Sequence, residues 1–150
     1  MLSFDDEAPA DKRFEQITEA LKNRDKDMLK AVFSDTVLTE SQTMDEDIEY
    51  LFSFFQGEIL SWEGDARIVD YGNDFGVKTK EIKSKYFIDT DKQRYIAYII
   101  DNTVDTAHPE NVGLYTLRII REEDKETQFA YWPDMKIPGI YRYHVMRNDG

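Results

Sequence analysis

The apolar residues of this chain change their period at Gly57. Before it, Phe14, Ile17 and Leu21 recur at i, i+3 and i+7, and Ile48, Leu51, Phe52 and Phe55 form a second stripe. That spacing belongs to amphipathic helices with one buried side. After it come short β-branched and aromatic runs bounded by polar turns, the mark of strands. Helices that all precede the strands cannot alternate with them, so the fold class is α+β: helices packed on one face of an antiparallel sheet. A chain of 150 residues suits one domain with one core.

Residues 1–9 are acidic, end in Pro9 and read as a flexible lead-in. A first helix is expected from Ala10 until "NRD" interrupts it at 23–25. Asp25 suits the cap of a second, short helix carrying Met28, Leu29, Val32 and Phe33. "SDTVLTESQ" reads as a turn. Thr43 and Glu46 have the spacing of a capping box for a third helix, which Gly57 would stop.

Strands are expected at 58–62, 66–72, 77–88, 94–104 and 113–120, with a last one in "TQFAYWPDM" and an irregular edge in "KIPGIYRY". The alternation of Lys78, Lys80 and Ile82 with Thr79, Glu81 and Lys83 predicts that the first half of 77–88 is exposed. "RYIAYIIDNTV" is apolar on both faces and predicts a central strand covered on two sides. The sum is three helices and five to six antiparallel strands in a single domain over 10–142, with a tail at 143–150. A strongly twisted sheet wrapped around helices leaves a concave side, where a pocket is expected.

Charge and composition exclude several functions. The formal net charge is −12, from 31 acidic and 19 basic residues, and such a surface repels a phosphate backbone. Nucleic acid is therefore not an expected partner. No cysteine is present, which removes disulfides, thiolate metal sites and a cysteine nucleophile. No apolar run approaches the ~20 residues of a membrane span. The opening "MLSFDDEAPADKR" has neither a basic start nor an apolar stretch, so the protein is cytoplasmic or a leader has been removed from it.

Asp101, Asp105 and His108 lie close in sequence and invite a metal or acid–base reading. The spacing does not fit a calcium loop, and two histidines are too few for a zinc site. No metal and no cofactor is expected. "DTAHPENVG" reads as a loop in which Asp105 and Thr106 bond to nearby backbone. Asp101 stands apart as the one carboxylate ending an apolar strand. Facing a cavity, it would have a raised pKa and could act as a general base, with Tyr98 or Tyr115 polarising a substrate oxygen. The ordinary outcome is a strand-end cap or a pair with a surface Lys or Arg.

Nine Phe, nine Tyr and two Trp supply many rings. Trp62, Tyr86, Tyr98, Tyr115, Tyr131 and Trp132 are the candidates for lining a ligand pocket, with ordinary core packing as the alternative. No nucleophile elbow, phosphate-cradling glycine loop or HExxH motif occurs. Lys78, Lys80, Lys83 and Lys85 are explained by an edge strand guarded against aggregation.

"DKRFEQITEALKNRDKDMLKAVFSD" resembles the opening of NTF2-like (cystatin-like) domains. "IEYLFSFFQGE", "KSKYFI", "VDTAHPENVGLYTLRII" and "YWPDMKIPGIY" resemble more closely an uncharacterised family of bacterial, mostly Gram-positive, lipoproteins carrying a domain of unknown function. The resemblance implies an NTF2-like cone and an exported, lipid-anchored protein. The lipid-bearing cysteine expected near the start of such proteins is missing here, and the resemblance then implies that this chain is the soluble part behind that cysteine. It implies no reaction, although NTF2-like isomerases do pair a carboxylate with a tyrosine. The resulting expectation is a non-catalytic, extracellular binding domain that holds a small ligand or a protein partner at its concave face. The alternatives are an isomerase or dehydratase built on Asp101, and a homodimer through the outer sheet face.

Overall fold

The computed structural model describes residues 4–128 and 136–142, with side chains from Pro9 onward. Four helices come first: α1 (Phe4–Asn23), α2 (Lys26–Ala31), α3 (Asp35–Glu40) and α4 (Met44–Phe54). The sheet follows as β1 (Ile59–Asp74), β2 (Val77–Thr90), β3 (Arg94–Asp105) and β4 (Gly113–Arg121). A short α5 (Lys125–Gln128) and β5 (Gly139–Ile140) complete the described elements. The strand order is β1-β2-β3-β4-β5. The first four strands form an antiparallel meander and β5 pairs parallel to β4, so the sheet is mixed and open.

The α+β class holds, with three differences from the expected helices. First, "SDTVLTESQ" is helical rather than a turn, because Ser34 caps α3 by accepting from Val37 N at 3.2 Å. The count before Gly57 is therefore four, not three. Second, α1 begins at Phe4 and carries Pro9 inside it, instead of starting at Ala10. Third, the capping box at Thr43 does not form. Thr43 Oγ1 donates to Asp47 Oδ2 at 2.9 Å, a contact one residue further along the helix than Glu46. Asp25 does cap α2, accepting from Met28 N at 3.0 Å. The side chain of Arg24 crosses to the far end of α4 and donates to the carbonyls of Phe52 (2.6 Å) and Phe55 (2.8 Å), two groups that a helix end leaves open.

In the sheet, the two short strands expected at 58–62 and 66–72 are one. The "EGD" between them makes an irregularity between Gly64 and Ala66, not a turn. The β1–β2 turn is tight: Asp74 pairs with Val77, and both Phe75 (φ 50°) and Gly76 (φ 84°) are left-handed. Thr127 and Gln128, expected to begin a strand, are helical in α5, and the rest of that expected strand lies outside the described residues.

The core lies between the helices and one face of the sheet. Phe14, Ile17 and Leu21 of α1 and Ile48, Leu51 and Phe55 of α4 pack on Tyr86, Ile88, Tyr95, Ala97, Ile99, Leu117 and Ile119. Along β2 the first three residues are exposed and every second residue from Ile82 is buried, as the alternation predicts. β3 is buried from Tyr95 to Asp101 without a break, as a strand apolar on both faces should be. Its second face carries a smaller cluster of Ile96 and Tyr98 with Ile120.

Candidate functional site

Asp101 ends the buried stretch of β3. It sits in register with Ile82 of β2 and Leu114 of β4, where the β3–β4 register shifts between Ile100 and Asp101. Alternation puts it on the same face as Tyr95, Ala97 and Ile99, beneath α1. It is 2% exposed. Arg13 Nε donates to its Oδ2 at 3.0 Å, and Arg13 Nη1 donates to Gln16 Oε1 one turn along the same helix, also at 3.0 Å. Asp101 Oδ1 is buried and meets no hydrogen-bond donor among the described residues. Burial pushes the carboxyl above the usual carboxylate range, and Arg13 opposes that rise by its charge and its hydrogen bond.

A hollow of about 260 Å³ lies against this pair, walled by Pro9, Lys12, Arg13, Gln16, Asp101, Thr103 and Val112. Lys12, Arg13 and Gln16 also border a larger groove of about 670 Å³ with Glu15, Glu19, Met28, Ala31 and Val32. The two depressions thus adjoin along one side of α1.

Toward β1 the same sheet face carries a second polar network. Tyr86 hydroxyl donates to Asp11 Oδ1 at 3.0 Å, and Arg67 Nη2 reaches both that hydroxyl (3.3 Å) and Asp11. Burial dominates the phenol and pushes it up to about 12. Ser84, directly opposite Arg67 in register, is fully buried, and its Oγ has no partner among the described residues.

The structure does not gather the candidate rings into one pocket. Trp62 and Tyr86 meet each other and Phe14: Phe14 stacks on Tyr86 with centroids 3.9 Å apart, and Trp62 stands edge-on to Phe14 at 5.0 Å. These rings fill their own space. Tyr98 is on the opposite face from Asp101, buried with Ile96 and Ile120, and burial raises its pKa. Tyr115 is half-buried in β4, with Lys136 Nζ 5.2 Å from its ring centre. Neither Tyr98 nor Tyr115 borders the hollow over Asp101. Tyr131 and Trp132 lie outside the described residues.

Asp105 and His108 belong to a loop. Asp105 accepts from His108 N and from Asn111 Nδ2, both at 3.0 Å, and these bonds hold its carboxyl below the usual range. Thr106 closes the loop onto β2 by accepting from Lys78 N at 2.8 Å. Among the described residues no cluster of three His, Cys, Asp or Glu side chains could hold a metal ion.

Sequence reasoning missed Arg13, Asp11, Arg67 and Ser84. Arg13 precedes Phe14 on a predicted helix, but nothing local ties it to a residue 88 positions away. The one available hint was Asp101 itself, a lone carboxylate in an apolar strand that had to find a cation.

Among the described residues no helix is long and apolar enough to cross a membrane. No curated protein matches the chain. Over residues 16–122 the chain matches a family described as Domain of unknown function (DUF5104), and it belongs to that family.

Proposed function

We propose that this is a non-catalytic binding domain of NTF2-like type, working outside the cytoplasm, that holds a small ligand or part of a partner protein between α1 and the sheet. The observation that carries the reading is the Arg13–Asp101 pair: a carboxylate 2% exposed, with one oxygen lacking a donor among the described residues, in the wall of an open hollow. Buried carboxylate oxygens are normally satisfied, and a residue that carries one without a described donor, in the wall of a hollow, supports a binding role there. The lack of a nucleophile motif in the sequence supports binding over catalysis. The helices-then-meander order supports the NTF2-like assignment, and the resemblance to Gram-positive lipoproteins supports the extracytoplasmic location.

A thermal-shift screen of metabolites, short peptides and glycans tests the reading. Stabilisation that disappears in Asp101→Asn is the expected result. A flat response across a broad panel removes the ligand role.

The raised pKa of Asp101 favours a second reading, a general base in an isomerase or dehydratase. Its expected tyrosine partners do not border the hollow, and Tyr86, a phenol on that sheet face, already serves Asp11 and Arg67. Deuterium exchange into carbonyl compounds, present in the wild type and absent in Asp101→Asn, would establish this chemistry. No exchange across the panel would discard it.

A further inference from the structure

We infer that the open edge of β1 takes an extended segment of a partner protein by strand addition, a segment with Lys or Arg two residues before and two residues after an apolar one. β1 does not border the hollow beside α1, so this site stands or falls separately from the binding reading above.

The edge is open where an edge is normally guarded. Among the described residues β1 pairs with β2 alone, and it is the first strand in the sheet order. The lysines expected to guard an edge, Lys78, Lys80, Lys83 and Lys85, lie on β2, which is an interior strand. β1 itself has neither lysine nor proline over its 16 residues. Over residues 66–74 its register with β2 runs without a shift, so its outward backbone N–H and C=O groups form a regular template.

The side chains along that edge choose the partner. Ala66, Ile68 and Asp70 lie opposite Lys85, Lys83 and Glu81. Lys85 is in turn opposite Tyr98, so all three are on the sheet face away from α1. Asp65, at the irregularity, turns to the same face, where its Oδ2 meets Lys85 Nζ at 3.1 Å. Ile68 is 44% exposed, and the side chains of Asp65 and Asp70 keep 43% and 58% exposure beside their lysines. Each is therefore within reach of a strand laid alongside. Such a strand runs about 4.8 Å from β1 and about twice that from β2, so the acids are its nearer charges and the lysines its further ones. An apolar residue opposite Ile68, with a cation on either side toward Asp65 and Asp70, meets all three. On the other face the same strand would lie beside the exposed ring of Tyr71.

Charge also decides against a second copy as the occupant. β1 carries four acids, Glu63, Asp65, Asp70 and Asp74, and a single cation, Arg67. Arg67 is turned to Asp11 and Tyr86, with 10% of its side chain exposed. Two such edges laid together would gather the acids of both with no outward cation from β1 between them, on chains of net charge −12 each. The residues whose side chains are not described bring Asp5, Asp6, Glu7, Asp134 and Asp149 to the chain against one basic residue, Arg147, and leave the balance acidic.

The test is isothermal calorimetry on the full chain with capped peptides: TTKTVTKTT, its acidic counterpart TTETVTETT, and TKKTTTVTT, which keeps the composition and loses the spacing. The first should bind, and each of the others should bind weaker by about ten-fold or more. Bound TTKTVTKTT should slow amide hydrogen exchange within residues 66–74, which attraction between charges alone would not do. Ile68→Lys gives the edge a lysine at an exposed position and should weaken binding by about ten-fold. Asp70→Ala should weaken it by about three-fold, and both variants should keep the far-ultraviolet spectrum of the wild type. Equal binding of TKKTTTVTT, unchanged exchange, or indifference to Ile68→Lys overturns the inference, as does silence from every peptide. A chain that sediments as a dimer, split by Ile68→Lys, overturns it in favour of a second copy.

Discussion

The two ends of the β1–β2 hairpin are built alike and live differently. One register runs from Ile59 opposite Thr90 to Asp74 opposite Val77. At the near end α1 lies across the pair: Tyr86 and Ile88 are fully buried, and Phe14 and Trp62 close over them. At the far end none of the described helices covers the pair. Tyr71 is 69% exposed and Phe75 is fully exposed, each a ring as large as those of the core. What holds the far end is pairing and surface charge, with Lys80 5.2 Å from the Tyr71 ring centre and Lys83 3.3 Å from Asp70. The lesson concerns cause. The strand pairing does not decide burial, and neither does the apolar character of a residue; the cover laid over it does.

That comparison can be broken by removing one ring from each end. Phe14→Ala takes a stacked ring from the near end and should cost about 3–5 kcal/mol in denaturant unfolding, the usual range for a buried Phe. Tyr71→Ala, at the far end, should stay within about 0.5 kcal/mol, as surface changes do. Equal costs would mean the far end is covered too.

A smaller effect tests how β4 is tied to the helices. Gly113 has φ 135°, and a Cβ there would come within 2.8 Å of Ser34 N and 2.9 Å of Ser34 Cα. Those atoms are backbone and fixed by Ser34 N donating to Leu114 O and Leu114 N donating to Val32 O. Gly113→Ala should cost about 1–3 kcal/mol by the same measurement.

Asp101 sharpens the comparison through pH. Burial raises its folded pKa above that of a free aspartate, so the folded state binds this proton more tightly than the unfolded state does. The group's favourable share is complete below the free-aspartate value and is lost as pH rises through the raised folded pKa. Stability of the wild type relative to Asp101→Asn should therefore fall as pH rises above the range of a free aspartate and through the raised folded pKa. A rising difference would mean that Arg13 outweighs burial.

Two modest effects belong to the far end alone. Phe75 holds φ 50° in a turn where both central residues are left-handed, a conformation that asparagine adopts more readily than a bulky ring. Phe75→Asn should raise stability by up to about 1 kcal/mol. Asp70→Ala, which leaves Lys83 with Glu81 as its remaining carboxylate, should change stability by no more than about 0.5 kcal/mol, less at high salt.

Much of the fold was legible in advance because its signals are local. The change of period at Gly57 separates the first four helices from the first four strands, Asp25 caps its helix, β2 shows the exposure its alternation predicts, and β3 is buried on both faces as its apolar run predicts. The misreadings share one cause, which is competition between close alternatives. Ser34 starts a helix where a turn of Ser, Asp and Thr was as reasonable, and Thr43 found Asp47 instead of closing on Glu46. The site was half legible. Asp101 stood out as the one carboxylate ending an apolar strand, yet Tyr98 and Tyr115 do not border the hollow beside it, because one step along a strand reverses the face.

The sequence alone determined what repeats within a few residues: the periods, the acidic surface, the lack of cysteine and the odd carboxylate at the end of an apolar strand. Only the tertiary structure decided that Arg13 would answer Asp101 across 88 positions, and that Phe14, Trp62 and Tyr86 would fill one another's space. The reason is range. Periodicity records which side of an element is apolar, but the angle at which a helix lies on a sheet emerges from all the contacts made together, and no single stretch of sequence carries it.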